Sequence, residues 1–251
     1  MAAQAPLPER RYTIVVTSCG RFDLLKATLN SLKPNLDLAP EAWIVVEDSG
    51  DEAVRAAVAE CGIGAQIILN RPQLGQMRAI DRAYEHVKTP YVFHCEDDWD
   101  FYRPGFIAES FAVLEACPDV SIVLLRPREE QNKLVRDAPS ETVNGVRLFF
   151  QDPALHPEYF SYAFNPGMRR MSDYHRVGPF GPIGYEPDIS YAFKKQGFRL
   201  ANLEDGAVRH IGDGRHVEDP SLPKKARDPW AKLKRSIGKR LKRVQRALSG
   251  D

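Results

Sequence analysis

An alternation constrains the fold of this chain more than any other feature. Five short runs rich in β-branched and other apolar residues, YTIVVT (12–17), WIVV (43–46), QIIL (66–69), YVFH (91–94) and SIVLL (121–125), are separated by segments that read as helices. Leu24, Leu25, Thr28, Leu29 and Leu32 recur at helical spacing until Pro34 stops them, and helices are expected near 51–61, 76–87 and 104–116. Strands alternating with helices in this way predict a mostly parallel sheet with helices on both faces. The continuously apolar first run suits a strand buried on both sides. From 126 to 181 the pattern breaks into Pro-, Gly- and aromatic-rich sequence, read as strands and loops around a site. Helical spacing returns over 187–196, and 198–203 reads as a strand.

A sheet of this kind binds ligands beyond the carboxyl ends of its strands, so the residues there are the first candidates. Glu96, Asp97, Asp98 and Asp100 place four acids within five positions after an apolar strand. Crowded carboxylates repel unless a cation neutralises them, and such clusters suit Mg²⁺ or Mn²⁺ shared with a phosphate. A solvated acidic turn is the other reading. Thr17, Ser18 and Arg21 offer hydroxyls and a guanidinium suited to phosphate. Glu47 and Asp48 can accept from a base imide or a ribose hydroxyl, although Asp also simply ends strands.

Taken in order, these stretches resemble the nucleotide-sugar glycosyltransferases of the GT-A fold, and glycosyltransferase family 2 in particular. The resemblance spans roughly residues 12–212. TIVVTSCGRFDLLKATLNSL is similar to the family's first strand and helix, and IVVEDSGD to its second strand with the nucleotide-binding acid. NRPQLGQMRAIDRAYEHVKTPYVFHCEDDW is similar to its stretch of Asn, Gly and Arg followed by a helix, a strand and the D-x-D motif. The resemblance implies a Rossmann-like GT-A domain and metal-dependent, inverting transfer of the hexosyl type. The donor would be a nucleoside-diphosphate sugar, UDP-sugar favoured, and the acceptor hydroxyl would lie on a glycan, a lipid-linked molecule or a protein.

By position, Asp48 with Glu47 matches the acid that recognises the base, and Arg78 a basic position near the donor. Glu96 and Asp98 match the ends of D-x-D, with Asp98 as metal ligand, Glu96 toward the ribose and Asp97 in the donor-binding set. Glu replaces the first Asp, as in related N-acetylglucosaminyltransferases with an EDD motif. Tyr185-Glu186-Pro187-Asp188 resembles the E-D-x-D-L segment, which puts Glu186 on the catalytic-base position and Asp188 on the acid after it. Helix-start acids favoured by the dipole would look the same. His210 matches a histidine near metal and diphosphate, and Arg169 or Arg170 lies where an anionic acceptor or the leaving diphosphate would be met.

The net charge of +1 hides an asymmetry: residues 224–251 carry eleven Lys or Arg against two Asp, a net of +9 on a body of −8. Asp228-Pro229 reads as a helix start. Trp230, Leu233, Ile237, Leu241, Val244 and Leu248 then form a narrow apolar stripe among eight basic residues over 232–246. Such a helix suits an anionic membrane surface through 228–248, with docking on the body or on a partner as the alternative. Nucleic acid is disfavoured, because the body shows no basic-aromatic platform. The expected organisation is therefore a GT-A domain over 1–223, with a nucleotide-binding half near 12–125 and an acceptor half near 126–223, and a basic amphipathic helix over 224–251.

Four cysteines without a C-x-x-C pair, no apolar leader and no run of about 20 apolar residues point to a cytoplasmic protein, the tail reaching the inner face of the membrane. A nucleotidyltransferase would need a Gly-rich phosphate loop with a basic residue after the first strand, which is missing here. A catalytically inactive nucleotide-sugar-binding module is the other alternative.

Overall fold

The computed structural model describes residues 9–221 and 229–248. It opens on β1 (Tyr12–Ser18), α1 (Phe22–Leu32), β2 (Ala42–Glu47), α2 (Ala53–Glu60), β3 (Ala65–Leu69), α3 (Gln76–Tyr84) and β4 (Tyr91–Glu96). β5 (Trp99–Phe101), α4 (Phe106–Ala116), β6 (Val120–Leu124), α5 (Lys133–Arg136), β7 (Ser140–Val143) and β8 (Val146–Gln151) follow. The remainder is β9 (Gly167–Arg170), α6 (Met171–Val177), α7 (Phe180–Ile183), α8 (Glu186–Lys194), β10 (Arg199–Leu203), β11 (Val208–His210) and α9 (Pro229–Leu248). The helix expected from residue 51 begins at Ala53, since the Asp51 carboxylate accepts from the Ala53 N–H at 2.9 Å and ends the turn before it.

The main sheet has the order β3-β2-β1-β4-β9-β6-β10-β8-β7, in which β9 and β8 run against the other seven strands. It is the mostly parallel α/β sheet the alternation predicts. Ile14, Val16 and Phe93 face one core with Leu25 and Leu29 of α1, Val58 of α2 and Phe111 of α4. Val15, Val92 and Ile122 face the other with Ile80 of α3, Phe180 of α7 and Phe193 of α8. Each such buried side chain contributes about 1.5–3 kcal/mol relative to exposure.

β9 is wedged between β4 and β6, and Gly167 makes this possible: a Cβ there would lie 2.8 Å from the Ile122 side chain. The stretch NPGMRR, with no β-branched residue, gave no strand signal. A second sheet pairs β11 with β5 and sets His210 opposite Trp99. No helix among the described residues is long and apolar enough to cross a membrane. The expected helix cap Asp228 and the division at 223 fall outside the described residues.

Candidate functional site

The carboxyl ends of β1, β2 and β4 converge on one edge of the sheet. A cleft of about 220 Å³ opens there between Thr17, Arg21, Asp48, Gln76 and the acids that follow β4, with residues 216–219 along its lip.

Glu96, Asp97 and Asp98 all line this cleft. Burial, then the charges of Asp98, Glu186 and Asp97, push the Glu96 carboxyl up to about 8. Burial also raises Asp97 to about 6, although Arg21 beside it works the other way. Arg21 donates through Nη2 to Asp97 Oδ1, and its Nη1 lies 2.8 Å from Asp98 Oδ2. The other Asp98 oxygen, Oδ1, is buried without a hydrogen-bond partner. His210 Nε2 stands 3.5 Å from Asp98 Oδ2, while its Nδ1 lies 3.1 Å from Asp213 Oδ1. The backbone holds this pair together: the Ile211 N–H donates to the Asp98 carbonyl at 2.9 Å, and a Cβ on Gly212 would collide with the Asp98 carboxylate.

An orphaned carboxylate oxygen, an imidazole oriented by a second carboxylate and a surplus of buried negative charge fit a hard divalent cation that takes further oxygens from a phosphate. Among the described residues no three His, Cys, Asp or Glu side chains are grouped to hold a metal by themselves. Asp98 and His210 thus form a set that a diphosphate would complete.

The second strand end differs from expectation. Glu47 is fully buried and does not line the cleft; its Oε1 accepts from the Gly20 N–H at 2.9 Å and the Ser49 N–H at 2.8 Å, bracing the turns after β1 and β2. Asp48 does line the cleft, but its carboxylate organises the loop before α3: Oδ1 accepts from Asn70 Nδ2 at 2.8 Å and the Leu74 N–H at 2.9 Å, and Oδ2 from the Gly75 N–H at 2.8 Å. Asp48→Ala is therefore expected to cost about 3 kcal/mol or more in urea unfolding, because three donors lose a charged acceptor at once; a change below about 1 kcal/mol would show that the loop stands without it.

Arg78 is exposed on α3, its side chain turned toward Gly181 and not toward the cleft. Gln76, two residues earlier, reaches in and donates through Nε2 to Glu96 Oε1 at 2.7 Å. The sequence reading missed Gln76, although a helix N-terminus directly after a glycine at φ +87° marks a place where backbone approaches a ligand closely. It also missed 216–219, where Asp219 Oδ2 accepts the Gln76 N–H at 3.0 Å.

The first turn of α8 carries two more of the expected acids, Glu186 and Asp188. Glu186 accepts a backbone hydrogen bond from Phe164, and burial raises its carboxyl above the usual glutamate range. It lies close enough to Glu96 for the two charges to repel. Asp188 serves a different purpose: its Oδ1 accepts from Lys242 Nζ at 2.5 Å and Arg246 Nη2 at 2.6 Å of α9. Burial alone would raise Asp188, and those two cations outweigh it and hold the carboxyl low.

Neither arginine of β9 is where the sequence suggested. Arg169 is 2% exposed, donating to Tyr162 Oη and the Asn165 carbonyl, both at 3.1 Å, so it contacts no solvent-borne acceptor. Arg170 pairs in register with Tyr91 at the start of β4, five residues or ~17 Å from Glu96. It donates to the Val120 and Cys117 carbonyls and to Asp173, a structural clamp at the opposite end of the sheet.

The sequence profile of the family described as Glycosyl transferase family 2 matches residues 13–177. Several solved structures share the fold. A mannosyltransferase from Pyrobaculum calidifontis, solved with GDP-Man and Mn²⁺, superposes with a TM-score of 0.59 at 14% identity, over 83% of this chain and 60% of that one. Glucosyl-3-phosphoglycerate synthase from Mycobacterium tuberculosis, solved with Mn²⁺, UDP and glucosyl-3-phosphoglycerate, gives 0.55 at 12%, over 93% and 80%. TarS residues 1–349 from S. aureus, solved with UDP, gives 0.53 at 13%, over 79% and 59%. The chain thus spans about three-fifths of the mannosyltransferase and of TarS 1–349. No curated protein matches in sequence.

Proposed function

The chain belongs to glycosyl transferase family 2, and from that premise we propose that it transfers a sugar, with inversion, from a nucleoside-diphosphate sugar to an acceptor hydroxyl. The observation that carries this reading is the proximity of two carboxylate groups: Glu96, Asp97 and Asp98 line the cleft at the end of β4, and Glu186 at the start of α8, outside that lining, is close enough for its charge to raise Glu96. The fold neighbours solved with Mn²⁺ and with GDP-Man or UDP support a nucleotide donor and a divalent cation.

Each residue then has a task. Arg21 and the backbone of the turn after β1 face the diphosphate, while Asp48 shapes the wall against which the nucleoside lies. Asp98 and His210 are the residues that would hold Mg²⁺ or Mn²⁺, whose charge, when bound, offsets that of the departing diphosphate. Glu186 takes the proton of the attacking hydroxyl; the raised affinity of its carboxylate for a proton suits a base better than an ordinary exposed glutamate would. UDP-sugar is the favoured donor, and hexosyl transfer the favoured subtype.

The test is a panel of nucleoside diphosphates and nucleotide sugars, each with Mn²⁺, Mg²⁺ or chelator, read by thermal melting. A matched donor at about 100 times its Kd adds ~2.7 kcal/mol, or roughly 5–10 °C for a domain of this size, and only with metal present. Equal stabilisation in chelator would overturn metal dependence. No stabilisation by any member, together with no sugar transfer, would overturn the activity.

A further inference from the structure

The helix α9 carries two faces with opposite uses. Trp230, Leu233, Ile237, Leu241 and Val244, at spacings of three, four, four and three, are all exposed, from 48% to 78%. On the opposite side of the same helix, Lys242, Arg243 and Arg246 bind the body. Lys242 and Arg246 reach Asp188 as described, while Arg243 Nε and Arg246 Nη1 donate to the two Glu158 oxygens at 3.0 Å and 2.9 Å. Arg246 also lies over the Tyr191 ring at 4.5 Å. An amphipathic helix docking on its own core does the reverse, burying its apolar stripe and leaving its cations in water. Here the cations hold the helix and the stripe faces outward.

Five large apolar side chains in one line on a helix surface mark a contact with something outside the chain. The charge identifies its chemistry. Residues 224–251 carry a net +9, and Glu158 and Asp188 offset only two units. Pairing of two such stripes from two copies would bring like charges together, whereas an anionic surface is attracted at about 1 kcal/mol per basic residue near it. A narrow apolar stripe, a cationic surround that includes the exposed Arg240, and a tryptophan at one end describe a helix lying in the headgroup plane of a bilayer.

We propose that α9 docks the protein on an anionic bilayer surface, with the stripe from Trp230 to Val244 immersed and the opposite face tying the body down through Asp188 and Glu158. Asp188 is two residues from Glu186 on α8, so the start of α8 is held against the lipid. Resting on the transferase reading above, the acceptor hydroxyl that this arrangement serves belongs to a lipid-linked molecule.

The experiment is co-sedimentation of the full chain with phosphatidylcholine vesicles, with and without phosphatidylglycerol, at low and high salt. Wild type sediments with the anionic vesicles, less with neutral ones and less as salt rises. An Ile237→Glu/Leu241→Glu variant loses about tenfold or more in binding, the loss expected on removing two buried side chains, with its melting temperature unchanged. Trp230→Ser, a milder change, loses severalfold. Equal sedimentation by wild type and double variant, or with neutral and anionic vesicles, overturns the proposal. So does a lipid-free dimer that the double variant dissociates, since the stripe would then belong to a second copy. Vesicle binding needs no turnover, so intact binding without transfer to any acceptor counts against the transferase reading alone.

Discussion

Asp98→Ala lowers kcat/KM for sugar transfer by roughly 10³-fold or more, the scale seen when a group that stabilises developing negative charge is removed from a buried site. The expectation rests on one atom. Asp98 Oδ1 is buried without a partner, and a buried carboxylate oxygen left unpaired costs free energy unless a ligand meets it. The free protein, by contrast, does not need this carboxylate. Its negative charge contributes to raising Glu96, and Arg21 keeps Asp97 as a partner when Asp98 is gone. The backbone bond from Ile211 to the Asp98 carbonyl is also retained. The variant is thus expected to melt at or above the wild-type temperature without ligand, and to lose the added stabilisation from Mn²⁺ with a nucleoside diphosphate. His210→Ala shows the same pattern more weakly, because Asp98 remains to meet the metal, so the added stabilisation from Mn²⁺ with a nucleoside diphosphate falls without vanishing. An Asp98→Ala enzyme with wild-type turnover, or one whose ligand-free melting point collapses, would mean that Asp98 is a structural residue.

How far the sequence could be read depended on whether a residue's surroundings come from its own segment. The parallel strands are legible because runs such as YTIVVT carry their burial in local composition, and the acids after 94 stand out because nothing local neutralises them. β9 is invisible in NPGMRR because its place is fixed by β4 and β6 on either side, with Gly167 admitting the close approach. The same long-range placement moved the arginines: one register step separates a side chain buried under Tyr162 from one clamping carbonyls at the far end of the sheet. Glu47 and Asp48 read alike as strand-end acids, yet successive residues point to opposite faces, so one braces turns in the interior while the other lines the cleft. The amphipathic pattern of α9 was plain in the sequence. Which face meets the body was not, because the partners Glu158 and Asp188 lie more than 50 residues away.

Glu186→Gln is expected to lower kcat by about 10²–10⁴-fold while leaving donor-induced stabilisation intact, since the side chain keeps its size and its acceptor oxygen but can no longer take a proton. The pH dependence supplies the sign. A base works only when deprotonated, so wild-type kcat/KM climbs as pH rises through the Glu186 pKa. Burial places that limb above the ordinary glutamate value, and the glutamine variant shows no such limb. Asp188, two residues on, provides the internal contrast. Lys242 and Arg246 bond its carboxylate and keep it ionised, which makes it a poor proton acceptor and a good anchor. Asp188→Asn should therefore cost far less in kcat than Glu186→Gln and should instead loosen α9, seen as faster proteolysis of the tail. If Asp188→Asn abolishes turnover and Glu186→Gln does not, the base lies two residues further along α8, and the ion pairs from α9 would then be restraining the catalytic group itself.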